Sequence, residues 1–88
     1  MTDPILYLAT ARDAIRREVS DDDIAFVRAL KHVQYAKESL QEGEVALGYC
    51  RDALTELAKI ESNNPERMRR VESAQRAVTA AITEIESS

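Results

Sequence analysis

A seam of small and apolar residues runs unbroken through the middle of this chain. It reads Phe26, Ala29, Val33, Ala36, Leu40, Gly43, Leu47, Cys50, Leu54, Leu57. The steps alternate three and four, which is the 3.5-residue period of a helix packed lengthwise on another helix. The phase survives Gly43 and Gly48, where a turn would be expected to break it. A pattern this regular constrains the chain to an all-α fold. It says little about chemistry.

The flanks of the seam read as helices too. A first helix is expected over about 4–19. Asp3 or Thr2 can cap it, Pro4 suits its first position, and Ile5, Leu8, Ala11, Ile15 and Val19 form its buried stripe. Ser20 with Asp23 has capping-box spacing, and Asp21–Asp23 sit where negative charge favours a second helix. Ser62-Asn63-Asn64-Pro65 is the clearest stop and restart, with Asn64 as cap and Pro65 at the first position of a last helix over 65–86. Met68, Val71, Gln75, Val78, Ile82 and Ile85 repeat the alternation there.

Gly43 is the only turn candidate between Ser20 and Ser62. No Pro, Asn, Asp or Ser stands from Gln41 to Leu47, and no good cap for a new helix except Gly43 itself. An interior glycine costs only about 1 kcal/mol relative to Ala. The spacing therefore predicts one long helix over about 21–61, roughly 60 Å at helical rise, with the first and last helices each folding back along half of it. The alternative is a monomeric four-helix up-down bundle broken at Gly43. Because neither flanking helix covers the whole seam, the ten seam residues are expected to form the interface of an antiparallel helical-bundle homodimer. A dyad between Gln41 and Glu42 would set Leu47 against Ala36, Cys50 against Val33 and Leu54 against Ala29.

Composition narrows the function classes. The chain has 88 residues, enough for one domain over 1–88 with a marginal core. Twelve basic against sixteen acidic residues give a net charge of −4, which disfavours a general nucleic-acid or anionic-membrane binder. The single cysteine precludes an intrachain disulfide and suggests a reducing, cytoplasmic setting. The N-terminus does not read as a signal peptide, and no apolar run approaches the roughly 18–20 residues needed to span a bilayer.

Chemistry-bearing constellations are sparse. His32 has Arg28, Ala29, Tyr35 and Ala36 at helical-neighbour positions, so no metal pair forms. Cys50 lies on the seam and reads as a small buried hydrophobe. The carboxylates lack the Glu-x-x-His pattern of a bundle di-metal site. No cofactor is expected. Arg67, Arg69, Arg70 and Arg76 form the one basic cluster, a candidate for an acidic partner, with local pairing to Glu66 and Glu72 as the simpler reading. Tyr35 falls outside the seam and is a candidate anchor for a partner. Tyr49 joins Val45, Ala53 and Ile60 in a second stripe expected to lie under the last helix.

The chain resembles two known families in part. Ala53, Leu57, Ile60 and Pro65 resemble the second helix of a tetratricopeptide repeat. The preceding helix carries Lys37, Gln41 and Glu44 where that repeat has small and aromatic residues, and no repeat follows. In outline the chain also resembles the all-helical chorismate mutase, a small dimer with one long helix. That resemblance would imply basic residues aimed at a dicarboxylate, and the seam from Phe26 to Leu57 has none. The expectation is a non-enzymatic helical protein acting by protein–protein contact, on itself and on a further protein, as a regulator, adaptor or inhibitor. A nucleic-acid-associated regulator using the arginine cluster is one alternative, and a small enzyme of chorismate-mutase type is another.

Overall fold

A computed structural model describes residues 3–16 and 24–87. They form four helices packed against one another, with no strand among them: α1 Pro4–Arg16, α2 Ile24–Gln41, α3 Leu47–Ala58 and α4 Pro65–Glu86. The expected end of the first helix at Val19, and the capping segment Ser20–Asp23, lie outside the described residues.

Side-chain caps set two of the helix starts. The Ile5 N–H donates to Asp3 Oδ1 at 2.9 Å, which satisfies one of the orphan donors of α1. At α4, Asn64 Oδ1 accepts from the Glu66 and Arg67 N–H groups at 3.0 and 3.4 Å, and Pro65 takes the first helical position. The expected bounds of the last helix, 65–86, are those observed.

The single long helix over 21–61 is corrected. The helix stops at Gln41, restarts at Leu47 and stops again at Ala58. The molecule measures 38 × 22 × 18 Å, too short to hold a helix of roughly 60 Å. The break is made by the backbone. Gly43 sits at φ +76°, in the left-handed region. Its N–H donates to the Leu40 carbonyl at 3.1 Å, and the Glu44 N–H donates to the Ser39 carbonyl at 2.7 Å. These two bonds are a Schellman motif, which consumes the last carbonyls of α2 and turns the chain out of helix. α3 then restarts after Ala46 with no side-chain cap; the Cys50 N–H simply closes the first turn on the Ala46 carbonyl at 3.0 Å.

The reversal folds the seam onto itself. Phe26, Ala29, Val33 and Ala36 of α2 and Cys50 and Leu57 of α3 are all fully buried in one core of a single chain. Leu40, Leu47 and Leu54 are half-buried at its edge, and Gly43 is exposed in the turn. On α3 the fully buried line is Ala46, Cys50, Ala53, Leu57, ending at Ile60 just beyond the helix. The second stripe expected under α4 is thus corrected in part. Ala53 and Ile60 are covered, whereas Val45 and Tyr49 face out.

Each helix packs on the next, and α4 closes on α1, so the four surround a common core. Leu8 and Ile15 enter it from α1, Phe26 and Val33 from α2, Leu57 from α3, and Val71 and Val78 from α4. Full burial of a side chain of this size is worth about 1.5–3 kcal/mol. Alanine is the commonest core residue among those described, for example Ala11, Ala29, Ala53, Ala74 and Ala81. Small side chains let helix axes approach closely, at the expense of apolar area.

The two glycines make opposite predictions. A Cβ would meet nothing within 4 Å at either. At Gly43 the left-handed backbone alone penalises it, so Gly43→Ala should destabilise by about 1–2 kcal/mol. At Gly48, inside α3, Gly48→Ala should stabilise by about 0.5 kcal/mol. Urea unfolding of both variants measures the signs. Ala36 is fully buried, so Ala36→Leu should cost roughly 1–3 kcal/mol through overpacking; higher thermal stability would show that the site has room.

Candidate functional site

The strongest surface feature lies on the outside of the α2–α3 hairpin. Tyr35 and Tyr49 are each equally distant in sequence from Glu42, and the reversal at Gly43 brings them together. Their ring centroids are 5.6 Å apart with planes at 59°, within the range of a favourable tilted pair. The Lys31 ammonium sits 5.7 Å from the centre of the Tyr35 ring, close enough for a cation–π attraction. Both tyrosines keep about 40% of their surface in solvent, at 39% and 40%. Ile24 and Val27 are exposed on the same helix as Tyr35, and Val45 is exposed in the turn. Aromatic and apolar side chains are thus exposed along α2 and at the turn that follows it.

The arginine cluster divides among three settings. Arg67 is half-buried, and its guanidinium lies 4.5 Å from the centre of the Phe26 ring. Its charge is therefore set against a fully buried core ring. Arg76 is exposed and reaches Glu72 Oε2 at 3.7 Å, one turn away, a pairing worth a few tenths of a kcal/mol. Arg69 and Arg70 line an open groove of about 810 Å³ between α1 and α4, together with Asp13, Ala14, Arg16 and Ser73. Asp13 in turn accepts from Arg12 at 3.3 Å. The four arginines thus form no single patch.

Three juxtapositions leave no trace in the periodicity: Tyr49 beside Tyr35, Arg16 in one groove with Arg69 and Arg70, and Arg67 against Phe26. They join α2 with α3, α1 with α4 and α2 with α4, so only the folded bundle brings them together. For Tyr49 a signal existed. It lies as far after Glu42 as Tyr35 lies before it, which marks the pair once the fold point is known.

No group of three or more His, Cys, Asp and Glu side chains suited to a metal ion occurs among the described residues. His32 is half-buried on the flank of α2. Cys50 is fully buried, and desolvation pushes its thiol up to about 11 from an ordinary 9.0. A buried neutral thiol is a packing group, because the thiolate is the nucleophile. No helix among the described residues is long and apolar enough to cross a membrane. Comparisons with protein families, with curated proteins and with solved structures return no match.

Cys50 gives a direct test of core integrity. A two-unit rise lowers the thiolate fraction roughly 100-fold at neutral pH. A disulfide-exchange reagent should label native chain at least that much more slowly than urea-unfolded chain. The folded state holds the thiol proton more tightly than the unfolded state does. Stability from this group is therefore full below pH 9.0 and is lost as pH rises through about 11. Cys50→Ala should flatten the stability profile over that window.

Proposed function

We propose that this chain is a small helical module that acts by protein–protein contact, through the outer face of the α2–α3 hairpin. The observation that carries this reading is the exposed Tyr35–Tyr49 pair, with Ile24 and Val27 exposed on α2 and Val45 exposed in the turn. Tyrosines are over-represented among residues that dominate binding energy, since they bring large area and few rotatable bonds. Exposed apolar surface gathered on one side of a small protein is a usual mark of an interface. Arg28, Lys31, Glu38 and Glu42 are exposed on α2 along with Tyr35, and add charge that a matched partner can pair. On this reading the module has no catalytic group and works as an adaptor, regulator or inhibitor.

The nucleic-acid alternative draws less support. Arg67 lies against Phe26, Arg76 is paired with Glu72, and the chain carries a net charge of −4. The groove lined by Arg16, Arg69 and Arg70 favours an acidic protein segment as a secondary contact more than it favours a duplex.

The test is the size of the chain in its own setting. In a gentle extract of the host, the chain should migrate well above a lone 9.9 kDa protein. Tyr35→Glu with Tyr49→Glu should return it to that size with helicity unchanged, because exposed substitutions rarely alter stability by more than about 0.5 kcal/mol. Migration at monomer size with both tyrosines intact would contradict the reading.

A further inference from the structure

The outward stripe of α2 has a seam of its own. It reads Ile24, Arg28, Lys31, Tyr35, Glu38, Glu42, in steps of four, three, four, three, four, and every one of the six is exposed. Glu42 is the residue just past the helix, and its N–H still donates to the Glu38 carbonyl at 3.1 Å, so it keeps helical register. This is the spacing of a helix that lies lengthwise on another helix. Within the chain, α2 packs on α3 and α1, and the stripe faces away from the core.

The charges along this stripe divide at Tyr35. Arg28 and Lys31 precede it; Glu38 and Glu42 follow it. A second copy laid parallel would set like charge beside like. A second copy laid antiparallel, about a twofold axis at Tyr35, does the reverse. Arg28 and Glu42 are each seven residues from Tyr35, so they face each other across the axis. Lys31 and Glu38 are four and three residues away, and they meet in the next layer. Ile24 opens the stripe and Val45 follows the turn at Gly43 beyond it, and both are apolar. They are 61% and 82% exposed in the single chain. Tyr49, beside Tyr35, makes the centre of such a pair a cluster of four rings. Among the described residues Arg28, Lys31, Glu38 and Glu42 enter no ion pair within the chain, and the Lys31 ammonium lies 5.7 Å from the Tyr35 ring centre.

We infer that a second copy of this chain is the partner of this face: two α2 helices pair antiparallel about a twofold axis at Tyr35. The inference rests on the reading of the hairpin face as a contact surface, and it names the occupant. The arrangement is isologous, with the same patch used by both copies, as closed dimers require. Its register is set by charge, which also excludes the parallel alternative. An interface rich in exposed ion pairs is sensitive to salt.

Sedimentation equilibrium of the full chain is the experiment. In about 20 mM salt, at micromolar to submillimolar concentration, the mass should approach twice 9.9 kDa. In about 1 M salt the dissociation constant should rise at least about tenfold. Two charge-reversed variants extend the test: Arg28→Glu with Lys31→Glu, and Glu38→Lys with Glu42→Lys. Each alone should be monomeric, since its stripe carries one sign, and an equal mixture should form the heterodimer. Circular dichroism checks that both fold. A wild-type chain that stays monomeric in low salt overturns the inference, as does a dimer indifferent to salt and to both reversals, or two folded variants that fail to pair when mixed. Should a variant fail to fold, the wild-type salt series still decides. A monomeric wild-type chain whose size in host extract nevertheless depends on Tyr35 and Tyr49 would overturn self-pairing while the broader reading of the face stands.

Discussion

One left-handed glycine decides this architecture. The seam from Phe26 to Leu57 needs apolar surface along its whole length, and a helix cannot supply that to itself. At Gly43 the backbone enters φ +76°, where a side chain would be strained, and two carbonyls of α2 are taken up by the N–H groups of Gly43 and Glu44. The chain then runs back along itself. The surface that the first half of the seam requires is supplied by the second half. Everything else follows from that reversal: the burial of Cys50, the meeting of Tyr35 with Tyr49, and the exposure of Val45 at the tip.

The core that results is narrow. Alanines at 11, 29, 36, 53, 74 and 81 let the four helices approach closely, while Leu8, Ile15, Phe26, Leu57 and Val78 are among the largest fully buried side chains. Close approach also fixes where long side chains go. The Arg67 guanidinium lies 4.5 Å from the centre of the buried Phe26 ring, at the edge of the core. Leucines at 40, 47 and 54 are displaced to the core edge, where they are half-buried. The outer face of α2 is left with Arg28 and Lys31 before Tyr35 and Glu38 and Glu42 after it, all exposed.

Much of the fold was legible where side chains carry the signal. Asp3 and Asn64 bind the N–H groups that their positions predicted, and Pro65 opens the last helix. The break at Gly43 was not, for two reasons. Its stop is made by backbone hydrogen bonds, and its restart at Ala46 uses no capping side chain, so the residues that usually mark a turn are absent. Moreover, the seam keeps its phase through the turn because both helices face the same core. Seven residues separate Leu40 from Leu47 whether the chain runs straight or doubles back. The pairing expected between two chains about a point near Glu42 and the pairing made inside one chain about Gly43 therefore read identically in sequence. For the site, Tyr35 was legible as an exposed aromatic off the seam. Tyr49, and the scattering of Arg67, Arg70 and Arg76 into different settings, depend on contacts between helices that periodicity does not encode.

A distance within one chain tests the reversal most directly. Spin labels at Arg28→Cys and Thr55→Cys, in a Cys50→Ala background and diluted in excess unlabelled protein, report only on their own chain. If the seam folds back at Gly43, the labels lie across neighbouring helices whose axes are about 8–10 Å apart, and the separation should fall below about 20 Å. If α2 and α3 were one continuous helix, 27 residues at helical rise would place them about 40 Å apart. The short distance is the result this account requires, and the long one would contradict it.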